Sequence, residues 1–343
     1  MANRSRHCLI MVFEYAHCLS KSSTPRELLG MGKDIERAFY TANTICGIPR
    51  KNITIITDVS TIRAGTDFPW EAGKGDAENE SDNPTIVRLI FPSINIVAEA
   101  MMKFINKIHF LEQGKDRKVE LFSYFSGHGV TFTDPTPGAN GKKTSCIILI
   151  DSQGKERRYL AKKELVNIFH NKFKPNQMGV VTIPIVQRKL IPRIGITEYV
   201  YYTSEILVNS GASDVPEGAV RLETFFIYDA CQSGSLSGLK YKYVTDNIFE
   251  QAFEEEMDIP LSMAVSATND LQDAPSCSDG SPFTSQMCGL IKQNRTDREP
   301  LTVRNLSRNI QRNLHPLLVR RCTPTISVSV ASLTVTAPAI GGD

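Results

Sequence analysis

The sequence predicts an α/β fold built on a mainly parallel six-stranded sheet flanked by helices, with insertions. Short apolar runs recur along the chain, and several are separated by segments with helical spacing. That alternation is the pattern of a parallel sheet covered by helices. Two short motifs, Ser126-Gly127-His128-Gly129 and Asp229-Ala230-Cys231-Gln232-Ser233-Gly234, each follow such a run. In open α/β sheets, ligands and reacting groups gather where strands end.

The first strand is predicted near residues 8–13, in Cys8-Leu9-Ile10-Met11-Val12-Phe13. A helix begins at Asp34-Ile35-Glu36-Arg37-Ala38-Phe39-Tyr40 and is stopped by Gly47 and Pro49. Ile53-Thr54-Ile55-Ile56-Thr57 is a second strand. Apolar residues at 94, 97, 98, 101, 104, 105 and 108 share one helical face and predict a helix near 94–110. A third strand runs from Val119 to Ser126, and Cys146-Ile147-Ile148-Leu149-Ile150 is a fourth. A helix near 161–171 follows, then a fifth strand through Thr224-Phe225-Phe226-Ile227-Tyr228 to Asp229, and a sixth at 260–266.

Three stretches interrupt this rhythm. Residues 60–83 are rich in Gly, Asp, Glu and Asn and read as a surface insertion. Residues 173–220 hold strand-like fragments, among them Gly179-Val180-Val181-Thr182-Ile183 and Tyr199-Val200-Tyr201-Tyr202, and are expected to form an accessory hairpin. Residues 235–258 start Ser/Gly-rich, end with Glu254-Glu255-Glu256, and read as an exposed connection.

Composition narrows the function. The 343 residues are 41% hydrophobic and 22% charged, an ordinary globular balance that supports a sizeable core. With 39 basic and 37 acidic residues the net charge is +2, too even for a nucleic-acid binder. No run approaches the roughly 20 apolar residues that cross a bilayer, so no membrane partner is expected. Arg4 and Arg6 precede an apolar run, but Glu14 interrupts it, which favours a buried strand over a signal peptide and a cytoplasmic location. The eight cysteines include no Cys-x-x-Cys pair. His7-Cys8 and His17-Cys18 lack the tight ligand spacing of zinc sites; Cys8 is assigned to the first strand and Cys18 to the loop after it.

The two strand-terminal motifs supply the chemistry of nucleophilic catalysis. A free thiol has a pKa of about 8.5, so a thiolate at neutral pH needs a base or a positive neighbour. His128 fills that role for Cys231 if the fold brings together two residues 103 positions apart. Gly129 lets the backbone pass close to a substrate, and its amide with that of Cys231 could face a developing oxyanion. Asp229, two residues before the cysteine, points to the same side of an extended segment and could bind a positively charged side chain.

These motifs resemble the caspase-like cysteine peptidases, and within them the metacaspases. Tyr124-Phe125-Ser126-Gly127-His128-Gly129 is similar to the family's histidine motif, and Asp229-Ala230-Cys231-Gln232-Ser233-Gly234 to its Asp-x-Cys-x-Ser-Gly pattern. True caspases instead carry Gln-Ala-Cys-x-Gly. Weaker similarity covers Ser262-Met263-Ala264-Val265-Ser266-Ala267, Asp270, Gly280-Ser281-Pro282-Phe283-Thr284 and Thr323-Pro324-Thr325-Ile326-Ser327-Val328-Ser329.

The resemblance implies a caspase-like sandwich in one catalytic domain, with a large-subunit-like region at 1–234 and a small-subunit-like region at 259–343. It implies an endopeptidase with a Cys231/His128 dyad and a pocket for Arg or Lys. Asp229, Ser126 and Ser266 fall in the matching segments. Asp34 matches the pocket's other carboxylate, Met31 stands where the family has cysteine, and Lys33 adds a positive neighbour. Asp34 reads equally as a helix N-terminal carboxylate favoured by the dipole.

Family members that bind calcium do so through acidic residues after the histidine. Residues 130–150 hold only Asp134, Thr144-Ser145 stand at the expected acidic pair, and Asp151 is alone. No metal, no cofactor and weak or absent calcium dependence are therefore expected. Lys240 and Lys242 are candidate self-cleavage sites, the alternative being a solvated Lys-Tyr-Lys surface. A monomer without an N-terminal pro-domain, acting on protein or peptide substrates with basic residues, completes the expectation. From another class, the chain could be a silent caspase-like scaffold that binds protein partners. A nucleotide-binding protein is disfavoured, since no Gly-x-Gly-x-x-Gly or P-loop occurs.

Overall fold

The computed structural model describes residues 4–18, 25–60, 82–115, 118–133, 143–169, 178–190, 197–209, 220–245, 248–251, 261–269, 271–313, 323–332 and 334–340. The side chains of 132, 133, 143, 178–190, 197–209, 311 and 313 are excepted. Along the chain, β1 (Arg4–Val12) is followed by α1 (Met31–Tyr40), β2 (Ile53–Thr57), β3 (Thr85–Arg88) and α2 (Ile94–Glu112). Next come β4 (Lys118–Ser126), β5 (Gly129–Thr133), β6 (Lys143–Ile150), β7 (Arg157–Ala161) and α3 (Lys162–Phe169). Then follow β8 (Met178–Leu190), β9 (Thr197–Asn209), β10 (Leu222–Asp229), β11 (Tyr241–Thr245) and β12 (Ile248–Gln251). The chain continues through β13 (Ser262–Ser266), α4 (Pro282–Thr296), α5 (Val303–Asn313) and β14 (Thr325–Val328).

The central sheet has nine strands in the order β12-β11-β14-β13-β10-β4-β1-β2-β3. Pairing is parallel from β13 through β10, β4, β1 and β2 to β3, and antiparallel where β14, β11 and β12 extend the other edge. Successive side chains of a strand face opposite sides. In β1, Cys8, Ile10 and Val12 pack with α1 and α4, while Leu9 and Met11 pack with α2 and α3. A strand buried on both faces reads as an unbroken apolar run, which is why Cys8–Phe13 was legible. His7 and Cys8 for the same reason face apart, His7 toward Ser5 and Glu112 and Cys8 into the core.

The predicted mainly parallel α/β sheet is present, but its strand count and membership differ. The run at 146–150 lies in β6, which pairs antiparallel with β5 and β7 in a second, five-stranded sheet, β5-β6-β7-β9-β8. An apolar run encodes burial and not the partner that buries it. Residues 173–220 contain β8 and β9, paired antiparallel from Met178 opposite Asn209 to Leu190 opposite Thr197. Of the insertion at 60–83, residues 61–81 lie outside the described residues.

Of residues 235–258, the described ones (235–245 and 248–251) are not a free connection, and the rest lie outside the described residues. Leu236 and Leu239 are buried in the core, and β11 and β12 form a hairpin on β14 at the sheet edge. Among the described residues no helix is long and apolar enough to cross a membrane.

Candidate active site

The two motifs meet because β4 and β10 are parallel neighbours in register, with Ser126 opposite Asp229. The ladder continues as the Gly127 amide donates to the Asp229 carbonyl at 3.3 Å. His128 and Cys231 follow two residues beyond that pair, at the C-terminal ends of adjacent strands. A Cβ at Gly129 would collide with the Cys231 carbonyl oxygen, so glycine is required by the approach of the two motifs.

Cys231 sits where the chain turns sharply. Gln232, the next residue, has φ 51°, a left-handed conformation uncommon outside glycine. Its side-chain oxygen accepts from the Thr131 amide at 2.7 Å, and its carbonyl from Thr131 Oγ1 at 2.9 Å. Thr131 Oγ1 also meets Ser145 Oγ at 2.8 Å, which meets Ser235 Oγ at 2.8 Å. The turn is thus tied to the second sheet by neutral hydroxyls, at the segment where the family resemblance leads one to expect acidic residues.

The thiol and the imidazole are each bound elsewhere. Cys231 Sγ accepts from the Ala274 amide at 3.3 Å and stands within hydrogen-bonding reach of the Asp273 carboxylate. Burial, followed by the negative charges of Asp273 and Asp229, pushes this thiol up to about 11, against a lowering by the Ala274 contact. His128 Nε2 donates to the Arg26 carbonyl at 2.7 Å, and its ring lies 4.9 Å from that of Tyr15. Tyr15 Oη in turn accepts from the His128 amide at 3.2 Å and donates to the Ile148 carbonyl at 2.7 Å. Burial lowers the imidazole below its ordinary range, with the Arg26 carbonyl opposing and Arg157 reinforcing. A neutral imidazole is the form a general base needs.

Behind the cysteine lies a pair of carboxylates. Asp34 and Asp229 are 0% and 4% exposed, and Met31 and Ser126 are buried beside them. Ser126 Oγ donates to Asp34 Oδ2 at 3.5 Å and contacts Met31 Sδ at 3.6 Å. The Ser281 amide donates to Asp34 Oδ1 at 2.9 Å, and Thr284 Oγ1 donates to Asp229 Oδ2. Tyr124 Oη completes the chain at 2.6 Å from Thr284 Oγ1. Burial first, then the charge of Asp229, pushes Asp34 up to about 8; Ser281, Arg37 and Ser126 oppose this. Burial pushes Asp229 up to about 6 against hydrogen bonds from Ser281 and Thr284. Burial and their mutual charge therefore make the pair hold a proton more tightly than ordinary carboxylates do.

Asp34 lies in the first turn of α1, as the helix-dipole account of it has it, but its oxygens serve Ser281 and Ser126 rather than its own helix. Lys33 turns away to Glu36 at 2.9 Å, and the nearby cation is instead Arg37, 3.7 Å from Asp34. Ser266 ends β13 opposite Tyr228, and no hydrogen bond joins it to either carboxylate. Lys240 and Lys242 are half-buried, not on a free loop. Lys240 lies 5.6 Å from the Tyr241 ring, and Lys242 pairs within β11 opposite Glu250 and Ser327.

Among the described residues, no three His, Cys, Asp or Glu side chains are grouped to hold a metal ion. Asp151 closes its own turn, accepting from the Gln153 and Lys155 amides at 3.3 and 2.7 Å. Sequence reasoning gave no role to Thr284, Tyr124, Arg37, Gln272 or Asp273. A signal existed for Thr284, since Ser281-Pro282 marks a helix start: Ser281 Oγ accepts from the Phe283 amide at 3.2 Å, with Pro282 in the first turn. The amides of Ala274 and Ser281 and the carbonyl of Arg26 have no side-chain signature.

No protein-family model and no curated protein matches the chain. Among solved structures it is similar to protein GSU0716 from Geobacter sulfurreducens, with TM-score 0.49, 11% identity and 98% of each chain covered. It is also similar to a caspase-1 from Spodoptera frugiperda, with TM-score 0.44, 10% identity and coverage of 100% of this chain and 92% of that one.

Proposed function

We propose that this chain is a cysteine endopeptidase of the metacaspase type that cuts peptide bonds after Arg or Lys. The observation that supports it is the register of β4 and β10, Ser126 opposite Asp229, since His128 and Cys231 each follow two residues beyond that pair. In turnover, the Cys231 proton passes to the His128 imidazole and the thiolate attacks the scissile carbonyl carbon. The Gly129 and Cys231 amides hold the oxyanion. The C–N bond breaks as His128 returns its proton to the leaving amine. Water, deprotonated by His128, then hydrolyses the thioester, and the thiol is restored.

The Asp34/Asp229 pair supports the choice of substrate. A guanidinium or ammonium placed against two carboxylates replaces their shared proton and allows both to ionise. An acidic substrate side chain would meet repulsion there. Hydrolysis of fluorogenic peptides ending in Arg or Lys, and not Asp, is the expected result, with a loss of about 10³-fold or more in Cys231→Ala and His128→Ala. No turnover between pH 5 and pH 9, with or without calcium, sinks the peptidase reading.

In that event the second reading takes over, a silent scaffold for protein partners. Its supporting observation is that the thiol and the imidazole are tied to Ala274 and Arg26. We further propose weak or no calcium dependence, so millimolar calcium added to chelated enzyme raises activity less than about tenfold. Self-cleavage after Lys240 or Lys242 requires β11 to open first and is expected to be slow. Mass spectrometry decides it, since identical fragments from wild type and Cys231→Ala rule it out.

A further inference from the structure

Residues 271–281 lead toward α4 and lie across both parts of the site. At one end, the Gln272 carbonyl accepts from the Gln232 amide at 2.8 Å, directly after the nucleophile. The Gln272 side chain is clasped by Thr323, accepting from its amide at 2.6 Å and donating to its hydroxyl at 3.1 Å. Asp273 and Ala274 then occupy the thiol of Cys231. Farther along, Arg37 holds the Asp279 carbonyl at 2.7 Å and its carboxylate at 3.1 Å. Gly280, at φ 86°, packs so tightly on Asp34 Oδ1 that no side chain fits, and the Ser281 amide covers the same carboxylate.

The fastening is local. Leu271 is 75% exposed and the Asp279 side chain 80%, while only Gly280 and Ser281 at the far end are buried. Apart from Ala274, which packs partly buried against the core, the segment is held by hydrogen bonds at a few points, which is the profile of a unit that opens without global unfolding. Arg37 occupies a telling position. It is the cation nearest Asp34, at 3.7 Å, and it also grips Asp279, so one guanidinium both partners the buried carboxylate and fastens the cover.

We propose that residues 271–281 form a strap that keeps Cys231 and the Asp34/Asp229 pair covered, and that an incoming basic side chain releases it by competing with Arg37 for Asp34. Only the identity of the releasing group rests on the peptidase reading; the covering contacts stand without it. Until the strap lifts, Sγ is blocked by Ala274 and a substrate side chain cannot pass Gly280. Once it lifts, Asp273 withdraws its negative charge from the thiol.

The test reads thiol accessibility rather than hydrolysis. Full-length wild type, Asp279→Ala and Gln272→Ala are alkylated with iodoacetamide, and the Cys231 rate is followed by peptide mass spectrometry. Cys8, buried in β1, reports that the fold is intact by remaining unlabelled. An exposed ion pair is worth little, so Asp279→Ala should speed labelling by up to about fivefold. Gln272→Ala loses two hydrogen bonds and should speed it by about tenfold or more. Ethylguanidine at millimolar concentration should speed it in wild type and not in Asp34→Asn. Rates unchanged within about twofold in both strap variants overturn the strap, even if wild type cuts peptides. Faster variants without any ethylguanidine effect overturn release by a basic group. Faster labelling with no peptide turnover leaves the strap standing and removes the peptidase reading instead.

Discussion

Strands β4 and β10 carry acidic groups toward both of their ends, and the two ends treat them oppositely. At the N-terminal end, Glu120 is 2% exposed and surrounded by cations: Arg6 at 3.1 Å, Lys118 at 3.5 Å and Arg4 at 3.6 Å. Lys118 also binds Glu223, at the same end of β10. At the C-terminal end, Asp229 lies near a second carboxylate, Asp34, with Arg37 reaching in from the edge. The burial is equal and the matching is not. A buried carboxylate ringed by cations holds the strand ends together, whereas two facing carboxylates are held against their own repulsion. On the proposed reading, these perturbed acids at the strand ends serve to bind a cation rather than to stabilise the fold.

The strongest way to break this contrast is to remove a charge from each end. Asp229→Asn should cut kcat/KM for Arg and Lys peptides by about 30- to 1000-fold, the cost of depriving a buried cation of its partner. Its melting temperature should change little or rise. If the variant keeps full activity on basic peptides, the carboxylate pair is not the specificity site.

At the other end, Glu120→Ala removes the carboxylate that the largely buried Arg6 guanidinium meets at 3.1 Å, while its 3.3 Å hydrogen bond to the Cys46 carbonyl stays. It should destabilise the fold by about 2–4 kcal/mol in denaturant unfolding, with Arg4 and Lys118 contributing less because water screens them. Peptide selectivity should be unaffected. A loss of selectivity here would mean the two ends are coupled and not distinct.

A smaller effect sharpens the comparison through pH. Asp34 binds its proton more tightly in the folded chain, up to about 8, than an ordinary carboxylate near 4 does when unfolded. Its contribution to stability is fully present below about pH 4 and is lost as pH rises through about 8. Asp34→Asn should flatten that decline and gain on the order of 1–2 kcal/mol at pH 8–9, read from melting curves. A decline unchanged in the variant would assign the pH dependence to other groups. Smallest of all, Lys33→Ala removes only a half-buried i,i+3 pair with Glu36. Stability should shift by less than about 0.5 kcal/mol, and kcat/KM for Arg peptides should stay within about twofold. A larger gain would show that Lys33 does weaken the pocket's charge.

The legible parts of the molecule share a physical cause. Strands buried on both faces, such as β1, β2, β4 and β10, appear as mainly apolar runs, and α2 announces itself by its spacing. The short edge strands carry no such mark: β3, of sequence Thr85-Ile86-Val87-Arg88, is half-exposed, and the four-residue β12 is mostly exposed, with Phe249 packed against Tyr243 of β11. The strand at 146–150 was visible, but its sheet was not, because pairing is set by partners far away in the chain. Lys240 and Lys242 look solvated in sequence for a related reason, since the hairpin that half-buries them forms only against β14.

By itself the sequence determined the α/β class, the two strand-terminal motifs and the candidate trio Cys231, His128 and Asp229. These follow from local chemistry: apolar runs, glycine beside a reactive group, and an acid two residues from a thiol; Asp34, Ser126 and Met31 joined them only through the resemblance to the metacaspases. Only the tertiary structure decided that Ser126 lies opposite Asp229, that Ser266 pairs opposite Tyr228, that Arg37 rather than Lys33 is the cation near Asp34, and that residues 271–281 cover the site. Register and closure are settled by backbone amides and carbonyls, which every residue carries alike.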